Sequence, residues 1–196
     1  MCKFSEDSRQ KLGNAVIYIA NHTEQLSKTK LLKLLFLMEE YMVKRYHVPF
    51  MGLPFEIWQA GPVAKDIFID LSGGPFLFKD FVKTEVQKDA TYIRAIKPFC
   101  DDEFSDCEME MMDEIIRKYG KKTAKQLVAE VHKEGSLWFN AAKKHGLLTA
   151  FNKGLCNNSD YTIDFSEELS DCAREDYKES LAIHQTANIL KAQEHV

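Results

Sequence analysis

The chain has 196 residues, with Lys+Arg 26 against Asp+Glu 30 and a net charge of -4. That length corresponds to about one domain of roughly 150 residues with room for a small appended lobe. A composition of 45% hydrophobic and 29% charged residues excludes collagenous, low-complexity and wholly disordered chains. The acidic balance argues against a dedicated nucleic-acid binder, although it leaves room for a local basic patch. Cysteines stand at positions 2, 100, 107, 156 and 172, an odd count without a C-x-x-C pair, so neither a disulfide framework nor a zinc knuckle is indicated. Lys3, Glu6, Asp7, Arg9 and Lys11 interrupt the first twenty residues, which is unlike a secretory signal. The richest apolar stretch, Leu31 to Met38, contains Lys33 and is followed by Glu39 and Glu40, far short of the ~20 apolar residues that span a bilayer. A soluble cytoplasmic protein without a membrane partner is expected.

Ser5 is placed to cap a first helix, with Glu6 and Asp7 at the positive end of its dipole and Leu12, Val16, Ile19 and Ala20 at helical spacing. A second helix is predicted after Ser27, running to about His47. Leu31, Leu34, Leu35, Met38, Tyr41, Met42 and Arg45 follow the i, i+3, i+4 rule, and Leu32, Phe36, Leu37 and Val43 widen the stripe. Little but Lys33, Glu39, Glu40 and Lys44 remains polar, so this helix is expected to be the nearly surrounded strut of the core. Phe55 to Trp58 is too short for a helix. It leads into Gly61-Pro62-Val63, and because proline suits a first helical turn, a third helix is predicted from Pro62 to Leu71.

The period changes to two from Val82 to about Lys97, around the polar turn Lys88-Asp89-Ala90, which predicts a β-hairpin that must lie against the helices. Ser105 should cap a helix from Asp106 to Tyr119, ended by Gly120. Further helices are predicted from Thr123 to about His132 and from Leu137 to His145. Phe151 to Ile163 reads as loop, and Ser166 to about Gln193 as a long polar helix. The fold class is therefore mainly α with a small β-hairpin, a compact helical domain around a central buried helix. Residues 1–150 form its body and 151–196 a C-terminal extension. Charge is split along it: residues 1–98 hold 14 basic and 11 acidic side chains (net +3), and residues 99–196 hold 12 and 19 (net -7).

No Gly-rich phosphate loop, G-x-S-x-G elbow or H-E-x-x-H motif is present. His132 and His145 stand on different predicted helices, where a capping or surface role is the ordinary one. The acidic run Asp101-Asp102-Glu103 with Asp106, Glu108 and Glu110 lacks the spacing and turn glycine of a calcium loop, and a solvated helix start accounts for it. Arg117, Lys118, Lys121, Lys122 and Lys125 form a basic cluster able to meet phosphates or an acidic protein surface. A solvated helix end is its plainer account. Trp58 and Trp138 are large apolar anchors, suited to the core or to a binding hot spot. No catalytic, cofactor-binding or metal-binding residues are expected.

Lys30-Leu31-Leu32-Lys33-Leu34-Leu35-Phe36-Leu37, then Phe55-x-x-Trp58-x-x-Gly61-Pro62-Val63, then Tyr119-Gly120, Leu127, His132 and Trp138-x-x-Ala141, taken together, resemble the Panacea antitoxin domain, the SocA-like family of phage-associated proteins. The resemblance extends over about residues 10–145. The chain departs from the pattern at Ile57, Gln59-Ala60 and Leu137. What the resemblance implies is a helical domain with a small β element that binds a cognate toxin encoded nearby and blocks it without being an enzyme. A protease or self-association would be further partners, and a nucleic-acid partner stays open. Phe55, Trp58, Gly61, Pro62, Lys65 and Trp138 are the residues expected to form or support the partner-binding surface. The alternatives are a DNA-binding regulator of its own operon, resting on the 117–125 cluster, and an enzyme using His132 or the acidic run.

Overall fold

The structure, a computed structural model, describes residues 5–88 and 90–193. Helix α1 (Glu6–His22) begins where the Ser5 side chain accepts from the Ser8 amide, and α2 (Lys28–Tyr46) where Ser27 does the same for Lys30. Each hydroxyl replaces a partner that a first-turn amide lacks within the helix. α2 ends at His47, whose left-handed backbone (φ 57°) lets its amide return to the Val43 carbonyl at 3.1 Å. Every residue of α2 from Lys30 to Glu39 is buried. Around it lie α1, α3 (Lys65–Asp70), α4 (Asp106–Tyr119), α5 (Ala124–Val131), the strands β2 and β4 given below, and a 3₁₀ turn over Phe165–Glu168. The leucine-rich helix is thus the strut that its all-round apolarity requires.

Two small antiparallel hairpins complete the class, mainly α with minor β. β3 (Val82–Gln87) pairs with β4 (Ala90–Ala95), Val82 opposite Ala95 and Gln87 opposite Ala90. It lies against α1 and α2 with Val82 and Ile93 turned into the core, as a hairpin that cannot stand alone must. β1 (Glu56–Trp58) pairs with β2 (Gly61–Val63) in the register Glu56↔Val63, Ile57↔Pro62, Trp58↔Gly61.

This second hairpin corrects the prediction of a helix from Pro62: the helix starts only at Lys65. Pro62 is accommodated in the strand because it faces Ile57, whose own amide points outward to the Tyr161 carbonyl at 2.9 Å. At such a non-hydrogen-bonded pair the missing proline N–H deprives the ladder of nothing.

α4 starts at a box in which Glu108 accepts from the Ser105 amide at 2.9 Å, and α5 at one closed by Thr123 and Gln126. α6 (Leu137–Lys144) is capped by Ser136. Two C-terminal expectations change. α7 (Leu147–Asn152) fills residues given no element and takes Phe151 and Asn152 from the segment read as loop, burying Leu147 and Phe151 after the left-handed Gly146; six residues are too few to display a period. The long polar helix starts not at Ser166 but at Asp171, as α8 (Asp171–Gln193), after the 3₁₀ turn. Arg174 spans the break, with Nε on the Ser166 carbonyl at 3.1 Å and Nη2 on the Leu169 carbonyl at 3.1 Å. Ile163, Phe165, Leu169, Ala173 and Tyr177 join the same core as α2.

Candidate functional site

The signature residues gather around the β1–β2 hairpin. Lys33, on α2 and only 1% exposed, reaches the hairpin and donates from Nζ to the Pro62 carbonyl at 2.8 Å. Gly61 permits this approach. Its φ is +95°, and a Cβ there would lie 2.7 Å from Lys33 Cε and 3.0 Å from Val131 Cγ2, so both the conformation and the crowding require glycine. At the end of α5 the His132 ring stacks on Trp138, 3.8 Å between centroids and 9° between planes. Trp138 Nε1 in turn donates to the Trp58 carbonyl at 3.2 Å. One lysine and two rings therefore join α2, the hairpin, α5 and α6.

The titratable groups of this junction are displaced by their burial. Burial pushes the Lys33 ammonium down to about 7, because a low-dielectric surrounding disfavours the charged form. Burial and then the Lys33 charge lower His132 to about 4, and His132 Nε2 is buried without a hydrogen-bond partner among the described residues. A second tie sits further along α2. Glu39, also 1% exposed, accepts from the backbone amides of Phe50 (3.1 Å), Met51 (2.9 Å) and Gly52 (3.2 Å). Burial raises its carboxyl to about 7 against the pull of those three donors. A third is Lys30, whose ammonium donates to the Gly120 carbonyl at 2.7 Å and the Glu24 carbonyl at 3.1 Å. These charged groups fasten loops to the central helix.

Of the six residues expected to serve a partner, Phe55 is wholly buried between Phe36 and Phe165. Gly61 and Pro62 are buried in β2, and Trp138 is 3% exposed. Trp58 is half-buried, its Nε1 donating to Glu56 Oε2 at 2.8 Å and its ring set edge-on to Phe68. Lys65 is exposed and lies 3.3 Å from Glu56 and 3.1 Å from Asp160. The fold brings all six to one hairpin, but only Lys65 and the open part of Trp58 reach solvent there. Sequence reasoning missed Lys33 and Glu39, which were assigned to the polar remainder of α2. The signal was available in principle, since a helix apolar on every side leaves no wet side for them.

The acidic run forms no cluster: Glu108 is taken by Ser105 and by Lys11 at 2.6 Å. Among the described residues no group of three His, Cys, Asp or Glu side chains is arranged to hold a metal ion. No described helix is long and apolar enough to cross a membrane.

Residues 31–139 match the family model for the SocA-like antitoxin, Panacea domain. The match runs from the first buried leucine of α2 to the residue after Trp138, so it contains the whole junction just described. The chain belongs to the SocA-like Panacea antitoxin family. Neither a search of curated proteins nor one of solved structures returned a match. Within the matched residues of this Panacea domain, Lys33, Gly61, Pro62 and Trp138 are all buried.

Proposed function

We propose that this Panacea domain is the antitoxin of a toxin–antitoxin pair and neutralises its toxin by direct protein contact in the cytoplasm, without catalysis of its own. The observation that carries this reading is the family match over residues 31–139. The interior ties described above support it. Side chains that fasten α2, the β1–β2 hairpin and α4 to α6 hold a frame in place and leave the outward surface free to suit a particular toxin. A frame fixed before binding lowers the ordering cost of association. On the hairpin, the open part of Trp58 and Lys65 belong to the contact surface, and Phe55, Gly61, Pro62 and Trp138 hold that surface from behind.

The test is expression of the adjacent open reading frame alone and together with this protein. Growth arrest by the neighbour alone, relieved by co-expression, with the two proteins co-purifying, is expected. A harmless neighbour, or arrest that persists on co-expression, refutes the assignment.

A further inference from the structure

Between α2 and α4 lies a groove of about 460 Å³. Its floor is apolar and aromatic, made by Leu37 and Tyr41 from α2 and Ile115 and Tyr119 from α4, and Arg45 and Lys118 stand on its rim. The carboxylates that line it are already engaged. Glu40 pairs with Lys44 at 2.9 Å, and Glu114 accepts from the Tyr41 hydroxyl at 2.6 Å. The two rim cations are exposed and meet phenols instead, Arg45 Nε donating to the Tyr46 hydroxyl at 3.3 Å and Lys118 to Tyr119, and among the described residues neither lies within ion-pair distance of a carboxylate. Arg45 rests over Tyr41 and Tyr46, 5.8 and 5.6 Å from the ring centroids, and Lys118 over Tyr119 at 5.0 Å. Arg117, Lys121 and Lys125, likewise exposed and without a carboxylate partner among the described residues, continue the positive field beyond the end of α4. This concentration of unpaired positive charge stands on a chain of net charge -4.

We propose that the toxin docks in this groove in addition to the hairpin surface, and that the groove receives a protein segment carrying a carboxylate flanked by apolar side chains. The proposal rests on the antitoxin reading and names the partner's chemistry. The carboxylate would pair with Arg45 and Lys118, and the apolar neighbours would cover Leu37, Tyr41, Ile115 and Tyr119. Arginine and tyrosine are the side chains in which binding energy concentrates, because they combine a large apolar body with a directed polar tip. A rim cation held over an aromatic ring is partly ordered before the partner arrives, which reduces the cost of immobilising it. A nucleic acid fits less well. A phosphate backbone has no use for a floor of Leu37 and Ile115.

The experiment is isothermal titration of the purified product of the adjacent open reading frame with the unmodified protein, with Arg45→Glu/Lys118→Glu, and with a control of equal charge change. The control, Lys143→Glu/Lys153→Glu, alters exposed lysines of α6 and the end of α7. Loss of affinity by about 30-fold or more in the groove variant, with the control within about twofold, is expected. If the reversal does not fold by circular dichroism, Arg45→Gln/Lys118→Gln takes its place with an expected loss of about tenfold. Groove variants that bind as tightly as the unmodified protein overturn the proposal while leaving the antitoxin reading intact. So does loss of binding to the protein's own promoter fragment in place of the toxin, which would give the cluster to nucleic acid. No binding by the unmodified protein removes the antitoxin reading and this proposal with it.

Discussion

Replacing Lys33 by methionine isolates the energetics of a charge placed inside the central strut. Methionine retains most of the lysine volume and flexibility, so cavity and overpacking contributions are small and two opposing effects remain. The Pro62 carbonyl loses the donor it now holds at 2.8 Å, which costs about 1–3 kcal/mol for a buried polar group left unpaired. The variant also escapes the burial cost of the ammonium. A lysine at about 7 in the fold against about 10.4 in the unfolded chain costs about 4 kcal/mol at pH 7 and under about 1 kcal/mol at pH 10.

Between those two values the folded protein binds fewer protons than the unfolded one. The stability of the unmodified protein therefore rises with pH across that window, and Lys33→Met lacks this rise. Urea unfolding, followed by circular dichroism with reductant present, should find the variant equal to or more stable than the unmodified protein at pH 7. At pH 10 it should be less stable by about the lost hydrogen bond, 1–3 kcal/mol. A stability difference constant to within about 0.5 kcal/mol between the two pH values would refute the claim that Lys33 carries an uncompensated burial cost.

Two further outcomes follow from the same junction. Glu39→Ala strands three amides, the buried ones of Phe50 and Met51 and the partly buried one of Gly52, and should lower stability by about 2–4 kcal/mol in urea unfolding. The milder Glu39→Gln carries the pH test. With the folded carboxyl raised to about 7, above an unfolded value of about 4.3, the contribution of Glu39 is fully present below that lower value and is lost as pH rises through the upper one. Glu39→Gln should therefore show a flatter decline between pH 4.5 and 7 than the unmodified protein. Gly61→Ala must accept a φ of +95° and place a Cβ 2.7 Å from Lys33 Cε, which should cost about 2–4 kcal/mol. In that variant a thermal melt should fall by several degrees, and an unchanged melt would contradict the packing of Lys33 under β2.

The termini of most helices were legible because capping is local chemistry. Ser5 and Ser105 were read as caps and stand immediately before their helices, as Ser27, Thr123 and Ser136 also do, and the residues that follow supply the period. The β3–β4 hairpin was legible for the same reason, as alternation over six residues on each side of a polar turn. The three-residue strands β1 and β2 were not. Nothing in Glu56–Trp58 or Gly61–Val63 alternates long enough to be seen. Their extended conformation also depends on contacts from far along the chain, the Ile57 amide meeting the Tyr161 carbonyl and the Ile163 amide meeting the Phe55 carbonyl at 2.8 Å. Of the candidate binding residues, the sequence led to the right hairpin but could not tell Lys65, which is exposed, from Phe55 and Trp138, which are not.

From the amino acids alone came the helical class, the surrounded helix at Leu31–Met38, the caps at Ser5 and Ser105 and the string of residues that marks the family. Short-range rules govern all of these: which side chain satisfies the next free amide, and which spacing puts apolar groups on one side. Tertiary structure alone decided that Lys33 and Glu39 lie inside, that Pro62 belongs to a strand, and that Arg45 and Lys118 face one groove without a carboxylate partner among the described residues. Burial and ion pairing belong to whatever surrounds a residue, and those surroundings are assembled from segments tens of residues apart.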